Sequence, residues 1–213
     1  MYINLAERVY FKLTRLAANN YEKFICLFPY FKFIKETKNT QTPIRFSTWF
    51  NQKILGRNRF AYWPVSTHSI VTNPQNIYAG VETSPGYMPG CYIQAIGKIY
   101  IGDYTQISAN VGIVSANHDL YDNRFHIIEE VRIGKYCWLG MGVLVMPGVV
   151  LGDYTIVGAG SVVTRSFPEG FCVIAGNPAK MIKPIDKEKC VFHKSQFEYC
   201  GYIPKNKFEQ FRR

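Results

Sequence analysis

The chain has 213 residues, of which 25 are Lys or Arg and 15 are Asp or Glu, and 47% are hydrophobic. This length and composition favour one folded domain with a sizeable core and argue against a disordered chain. The sequence contains no run of about 18 apolar residues and no apolar stretch typical of a signal peptide near its start. We therefore expect a cytoplasmic protein without a membrane-spanning helix.

The net charge of +10 is concentrated towards the ends of the chain. Residues 1–60 hold 11 basic and 3 acidic side chains, whereas residues 61–130 hold more acidic than basic ones. Basic ends are typical of proteins that meet nucleic acid, an anionic membrane or a phosphorylated ligand, and equally of solvated helix faces. The six cysteines form no C-x-x-C pair, which argues against the common zinc and redox motifs and predicts reduced thiols.

Residues 1–60 mix apolar and basic side chains at near-helical spacing, with Pro29 as an interruption. This pattern predicts a segment of two or three short helices. Two interpretations of the segment stay open: a cap on the end of the following domain, or a basic surface in peripheral contact with an anionic membrane. Its aromatic side chains are too many to leave in water, and they are Phe24, Phe28, Tyr30, Phe31 and Phe33.

A six-residue repeat in residues 61–185 decides the predicted fold. Ten hexads begin with Ile, Leu or Val, three of them from Ile101 and seven from Ile127, and nine have a small or medium residue at position five. A period of six fits neither an amphipathic helix nor an alternating strand. It predicts an all-β fold, a three-sided parallel β-helix whose first and fifth positions point inward and stack on their equivalents three hexads later. Glycine is frequent at position two, and glycine near a turn is expected to relieve the Cβ clash at positive φ.

The phase of the repeat breaks twice, and each break predicts a loop. Residues 83–94 contain two Pro and two Gly, which indicates a projecting loop. Residues 119–126 have no place in the repeat and are also expected to leave the prism. Insertions in a repeat solenoid often carry its functional site. Residues 186–213 are predicted to form a partly helical C-terminal appendage.

The hexads, the excursion SANHDLYDNRF and the segment from RIGKYCWLGMG to GNPAKMIK resemble the left-handed β-helix acyltransferases. The resemblance is closest to the acetyl-CoA-dependent O-acetyltransferases of the galactoside, maltose, nodulation and capsular-polysaccharide type, and it covers residues 95–184. It implies a left-handed coil and a homotrimer with active sites between neighbouring prisms. It also implies acetyl-CoA as co-substrate, no metal, and a sugar or other small molecule as acceptor.

His118 is the candidate catalytic base, because an imidazole titrates near neutrality and the residue lies just before the predicted excursion. In the resembling enzymes, a histidine at the mouth of this loop takes the proton of the acceptor. Asn117 occupies the inward fifth place of its hexad, where it would either orient His118, line the substrate pocket or cap a turn. Asp119 and Tyr121 are candidate ligands of the acceptor hydroxyls.

The resemblance assigns the donor to residues on the later coils and at the end of the prism. A W-x-G segment and the segment VGAGSVVT would line the channel of the pantetheine arm, and basic residues would meet the phosphates of coenzyme A. The residues are Trp138, Gly140, Ala159 and Thr164 for the arm, and Arg165, Lys180 and Lys183 for the phosphates.

The leading hypothesis is an O-acetyltransferase acting on a sugar hydroxyl of a polysaccharide or lipopolysaccharide precursor, without a nucleic-acid partner. An antibiotic-modifying O-acetyltransferase uses a histidine at the same loop and stays an alternative within the enzymes. A non-catalytic scaffold is the alternative from a different class. A carbonic-anhydrase-like metal site is disfavoured, because no third histidine lies near His118 and His126. The identity of the acceptor does not follow from the sequence.

Overall fold

Residues 70–184 coil into a prism with three faces of parallel strands, in a computed structural model that describes residues 21–212. Face A contains β1 (Ile70–Thr72), β3 (Tyr92–Gln94), β6 (Gly112–Val114), β11 (Leu144–Val145) and β14 (Val162–Val163). Face B contains β2 (Ile77–Ala79), β4 (Ile99–Ile101), β9 (Val131–Ile133) and β12 (Val150–Leu151). Face C contains β5 (Gln106–Ile107), β10 (Trp138–Leu139), β13 (Thr155–Val157) and β15 (Cys172–Gly176), and β16 (Ala179–Pro184) pairs antiparallel with β15 at its edge.

The hexads stack as the repeat predicts. Leu139 lies beside Val157, and Val145 beside Val163, so each first position meets its equivalent three hexads later on the neighbouring coil. These first-position side chains are buried, and so are the fifth-position side chains, of which Thr155 is an example. The register therefore confirms the predicted three-sided parallel coil, with one core that runs along the axis of the prism.

The expectation that glycine near the turns adopts positive φ is confirmed at position four, at Gly142, Gly148 and Gly160, but position-two glycines have a different role. Gly134 has no room for a side chain, since a Cβ atom there would lie 2.5 Å from the backbone nitrogen of Asp153 on the next coil. The left-handed conformation occurs instead at position four, where Tyr104, Tyr136 and Tyr154 have φ of 59°, 54° and 55°. Position two is thus glycine because neighbouring backbones approach closely at the corner.

A ladder of aromatic rings follows from these fourth positions. Tyr104, Tyr136, Tyr154 and Phe171 lie one above another at the corner between faces B and C, with centroid distances of 5.2, 5.2 and 5.5 Å. Their rings are nearly parallel, which is the offset-stacked arrangement that aromatic pairs favour. We call this set the tyrosine ladder.

Residues 83–94 do not form the predicted projecting loop. Thr83 and Ser84 are buried, and the indole of Trp63 donates a hydrogen bond of 2.8 Å to the carbonyl of Pro85. The last three residues are strand β3 of face A. The prolines and glycines make turns within the first coils, where their backbone groups find partners inside the fold instead of in solvent.

The second excursion is longer than predicted. It is a hairpin of β7 (Ala116–His118) and β8 (His126–Ile128), paired antiparallel, so the predicted loop 119–126 is the tip of this hairpin together with the start of β8. Ile127 is exposed although it begins a hexad, and the core resumes at Val131. Ile101 stacks directly on Ile133 across the hairpin, so this one coil is longer than the regular coils of three hexads.

The N-terminal and C-terminal segments share a second, smaller core, so residues 186–213 are more than an appendage. Phe33, Ile34 and Ile44 pack there with Tyr199 from the other end of the chain. Residues 1–20 and the predictions made for them lie outside the described residues. The helices of these segments are α1 (Lys32–Glu36), α2 (Phe46–Lys53) and α3 (Lys205–Arg212), with 3-10 turns at Pro29–Phe31 and Lys187–Lys189 and a short hairpin of β17 (Tyr199–Cys200) and β18 (Ile203–Pro204). Within residues 21–212, no helix has the length and apolar character needed to cross a bilayer.

Residues 185–198, which we call the strap, run back along the tyrosine ladder from the last coil towards the first. The hydroxyl of Tyr136 donates to the carbonyl of His193 at 2.9 Å, and that of Tyr154 donates to the carbonyl of Val191. The hydroxyl of Tyr104 accepts from the amide of Ser195 at 3.2 Å. The strap therefore joins successive coils through their fourth-position tyrosines.

Gln52 of α2 ties the two terminal segments to the prism. Its buried amide nitrogen donates to the carbonyls of Asn58, Ala61 and Trp63 at 3.1, 3.1 and 2.8 Å. Its oxygen accepts from the amide of Val65 at 3.1 Å and from the hydroxyl of Tyr202 at 2.8 Å.

Candidate active site

The hairpin that carries His118 is anchored at the corner between faces A and B. The buried hydroxyl of Ser115 accepts from the amide of Gly97 and donates to the carbonyl of Gln94, both at 2.9 Å. The amide of Glu129 donates to the carbonyl of Ser115 at 2.9 Å, which closes the base of the hairpin. A rigid base of this kind fixes the direction in which the exposed strands project.

The backbone holds the imidazole of His118 in one tautomer. Its Nδ1 lies 2.6 Å from the carbonyl oxygen of Asn123, at the tip of the same hairpin. Because a carbonyl oxygen only accepts hydrogen bonds, this contact requires the proton on Nδ1 and leaves the Nε2 lone pair of the neutral ring available. The ring also lies against His126, with centroids 4.5 Å apart. A histidine arranged in this way can take a proton through Nε2.

The other predicted acceptor ligands lie on the same hairpin in different environments. The carboxylate of Asp119 accepts from the amides of Tyr121 and Asp122 at 2.8 and 3.0 Å, and these bonds lower the pKa of Asp119. The side chain of Tyr121 is almost fully exposed. Asn117 is exposed on β7, so its predicted inward orientation is wrong. The chain has already left the prism at Ala116, and the hexad phase no longer applies.

Four predicted donor residues share face C or its edge with face A. The indole of Trp138 is 53% exposed on face C. Strand register aligns it with Ile156, Val173 and Lys183 in one row parallel to the prism axis. Three strand spacings of ~4.8 Å separate Trp138 from Lys183, which is about 14 Å. The others are Lys180, which pairs with Ala175 on β15, and Ala159, which is exposed at the corner between faces C and A.

Gly140 does not offer the open approach that the sequence predicted for it. A Cβ atom there would lie 2.7 Å from the backbone nitrogen of Ala159, so the next coil already fills this space. Gly160 is the glycine with open space, since a Cβ atom there meets nothing within 4 Å. The close approach at Gly140 therefore serves coil packing.

Thr164 and Arg165 do not lie on face C with the two lysines. They follow β14 at the corner between faces A and B, where both are exposed, and the guanidinium of Arg165 lies 5.3 Å from the ring centre of Phe167. The hairpin of His118 leaves the prism at this same corner. From Gly160 to Arg165 the chain crosses face A, about 16 Å at ~3.3 Å per residue.

The predicted site residues therefore form two sets within one chain. The first set lies on the corner between faces A and B and holds the hairpin residues with Thr164 and Arg165. The second set lies on face C and its edge and holds Trp138, Ala159 and the two lysines. Neither set contacts the other through a hydrogen bond, ion pair or ring contact among residues 21–212.

Sequence analysis missed two elements of this region. The carbonyl of Asn123 leaves no side-chain signal, because any residue at the hairpin tip supplies one. The second element is a cavity lined by residues of the strap and of face C, and it has a sequence signal, namely tyrosine at position four of three hexads, at 104, 136 and 154. In the described part of the chain, no group of three His, Cys, Asp or Glu side chains is arranged to hold a metal ion.

Residues 130–165 match the family model described as bacterial transferase hexapeptide, six repeats. The repeat region is therefore similar to the hexapeptide-repeat transferases. A solved structure named galactoside acetyltransferase in complex with coenzyme A is 28% identical, with a TM-score of 0.54, over 62% of this chain and 66% of that chain. The predicted resemblance to hexapeptide-repeat acyltransferases is confirmed, and this likeness implies a left-handed coil.

Two curated relatives match about half of this chain. One, from Schizosaccharomyces pombe, is provisionally named an acetyltransferase and is 34% identical over 117 residues, 53% of this chain and 55% of the relative. The other, from Escherichia coli K12, is provisionally named a lipopolysaccharide biosynthesis O-acetyl transferase and is 37% identical over 117 residues, 49% of this chain and 59% of the relative. The chain thus spans little more than half the length of these relatives.

Proposed function

We propose that this protein is an acetyl-CoA-dependent O-acetyltransferase that acetylates a sugar hydroxyl, with His118 as general base. The observation that carries the proposal is the bond from His118 Nδ1 to the carbonyl of Asn123, which leaves Nε2 as the free base on an exposed hairpin. The names of the relatives, an acetyltransferase and a lipopolysaccharide O-acetyl transferase, favour the same reaction and a sugar acceptor.

The chemistry requires one proton to move twice. Acetyl-CoA supplies the acetyl group as a thioester. His118 Nε2 removes the proton of the acceptor hydroxyl as its oxygen bonds to the acetyl carbon, and the imidazolium then returns that proton to the departing sulfur as the carbon–sulfur bond breaks. The carbonyl of Asn123 keeps the ring oriented in both steps and stabilises its charged form. Transfer is therefore direct, without an acyl-enzyme.

Face C fits the donor. The exposed indole of Trp138 offers an apolar surface for the pantetheine arm, and the ammonium groups of Lys180 and Lys183 follow on β16 at the end of the prism. The row from Trp138 to Lys183, about 14 Å by strand spacing, is comparable to the length of such an arm. We propose that these lysines bind the phosphates and that the thioester lies towards Trp138.

A homotrimer would complete the site. Within one chain, face A separates His118 from Trp138 by a distance on the order of 15 Å. If the corner between faces A and B of one subunit meets face C of a neighbour, His118, Thr164 and Arg165 come to the donor row of that neighbour. Closed cyclic symmetry repeats this contact in each subunit. Light scattering should give three times the chain mass at micromolar concentration, and a monomeric active enzyme would contradict the proposal.

The experiment that tests the function is release of coenzyme A from acetyl-CoA across a panel of sugars and antibiotics. Wild-type protein should release coenzyme A with at least one sugar, and His118→Ala should abolish most of this release. His68→Ala is the matched control, because His68 is exposed and lies outside the hairpin. Full activity of His118→Ala would overturn the base assignment, and release only with antibiotics would overturn the sugar acceptor.

We also propose that the N-terminal segment is divided between a packing role and a membrane role. Phe33 is buried, and the ring centroids of Phe31 and Trp49 are 4.8 Å apart, so part of the segment packs against the terminal core. Phe24 and Phe28 are more than half exposed, near the exposed Lys23, and fit peripheral contact with an anionic membrane. Sedimentation with anionic vesicles should weaken in Phe24→Ser/Phe28→Ser and persist in the control Phe60→Ser.

A further inference from the structure

A cavity of about 520 Å³ lies between the strap and face C, which we call the strap cavity. The indole of Trp138 and the side chain of Ile156 form its floor, and the three tyrosines of the tyrosine ladder line one side. Residues 185–193 of the strap cover it. Ligand sites of this size are typically concave and mostly apolar, with a few polar groups that fix orientation.

The strap cavity adjoins the proposed donor row and continues beyond it. Both include Trp138 and Ile156, and the cavity extends beyond Trp138 to Gln106, one coil farther from the lysines that would hold the phosphates. An occupant at the Gln106 end would therefore lie beyond the thioester, where the acceptor must be. This inference rests on the proposed function.

We propose that the Gln106 end of the strap cavity is the acceptor subsite and that it binds an uncharged pyranose ring. An exposed indole face is a suitable partner for the C–H face of a sugar, and the ring edges of Tyr104, Tyr136 and Tyr154 add apolar wall. The formal charges in the lining are Asp186 and Lys189, which form an ion pair at 3.2 Å. The lining thus has no net charge to attract a phosphate or a carboxylate.

The Gln106 end of the cavity is polar and partly fixed by the fold. The side-chain amide nitrogen of Gln41 lies 3.2 Å from the ring nitrogen Nε2 of His193. Since that nitrogen only donates, His193 accepts through Nε2 and carries its proton on Nδ1. Gln41 thereby keeps its carbonyl oxygen, and His193 its Nδ1–H, for sugar hydroxyls.

A buried carboxylate lies behind this end. Glu82 accepts the backbone amide of Gln41 at 3.3 Å, and its backbone carbonyl accepts from the side chain of Gln106 at 3.5 Å. Its second oxygen, Oε1, is buried without a hydrogen-bond partner among the described residues. Glu82 is not part of the cavity lining, so it supports this end through its bonds to Gln41 and Gln106 and not through contact with a ligand.

The kinetic test compares His193→Ala and Gln41→Ala with Lys194→Ala, a neighbouring exposed residue outside the cavity lining. Each cavity variant should raise KM for the sugar acceptor about 5-fold or more, because one hydrogen bond to a ligand is worth ~1 kcal/mol or more. The value of kcat and the affinity for coenzyme A should change less than about 2-fold, since the bonds form equally in the ground and transition states. Unchanged KM in both cavity variants, with acetylation intact, would overturn the subsite and leave the proposed function standing.

A direct binding measurement makes the inference independent of activity. Saturation-transfer NMR on the wild-type protein would use the methyl pyranosides of glucose, galactose, mannose and N-acetylglucosamine, with glucose 1-phosphate and glucuronic acid as charged probes. At least one neutral pyranoside should bind, and His193→Ala should reduce its signal while Lys194→Ala does not. Preference for the charged probes, or no signal that depends on His193, would overturn the proposal whether or not acetyl transfer is observed.

Discussion

The buried amide of Gln52 gives the sharpest test of how the terminal segments stabilise the prism. Replacing it in Gln52→Leu keeps most of the side-chain volume and removes every hydrogen bond. The side-chain nitrogen has two protons for three carbonyls, and the side-chain oxygen accepts two further bonds, so about four bonds act at once. At ~1 kcal/mol for each bond, the variant loses about 4 kcal/mol of folding free energy. The loss should appear as decreased free energy of unfolding.

The assay is urea denaturation followed by tryptophan fluorescence and far-ultraviolet circular dichroism. With a slope of ~2 kcal/mol per molar urea, the midpoint of Gln52→Leu should fall by about 2 M. The control Gln75→Leu changes an exposed glutamine and should stay within about 0.5 kcal/mol of wild type. Gln52→Glu should be at least as destabilised as Gln52→Leu, because a carboxylate cannot donate to the three carbonyls. A midpoint shift below about 0.5 M in Gln52→Leu would refute the reasoning.

Three further predictions concern catalysis, the donor and pH. His118→Ala should lower kcat by about 100- to 10,000-fold in the coenzyme A release assay, the usual contribution of a general base, with an unchanged melting temperature. Lys180→Ala and Lys183→Ala should raise KM for acetyl-CoA and leave kcat nearly intact. Added salt should weaken coenzyme A binding more in the wild-type protein than in the variants. Equal affinities for coenzyme A and its 3′-dephospho form in all proteins would contradict this prediction. Burial raises the pKa of Cys137 to about 12, above the ~8.5 of an unfolded thiol. The unfolded chain therefore holds fewer protons above that value, and stability should fall as pH rises from about 8.5 towards 12; Cys137→Val should show a smaller slope in denaturation curves.

The repeat made most of the prism predictable, because its core positions are set by local spacing. A first-position aliphatic such as Leu139 needs only its own hexad to be recognised, and its partner Val157 follows one coil later. The same reasoning failed at Asn117, since phase cannot show where the chain leaves the prism. It also misjudged residues 83–94, where proline and glycine make turns inside the fold as readily as outside it.

Of the candidate site, the residue types were predictable and their distribution between corners was not. The choice of His118 followed from its type and from the break in the repeat, but its tautomer depends on a backbone carbonyl that any sequence supplies. Arg165 and Lys183 are close in sequence to the end of the prism, yet Arg165 lies at a corner and Lys183 on face C. Such separation depends on how the coil turns in space, which short-range sequence patterns do not encode.

The strap bears on how the length of the prism is specified. Val191, His193 and Ser195 meet Tyr154, Tyr136 and Tyr104 in turn, so each coil corresponds to a fixed short step along the strap. An ordinary solenoid can gain or lose a repeat, because each repeat contacts only its neighbours. Here, inserting one more coil of three hexads would shift the strap out of step with the ladder unless the strap were lengthened by one such step as well. The length of the strap therefore sets the number of coils. Changes in repeat number should occur only with matching changes in the length of the C-terminal segment.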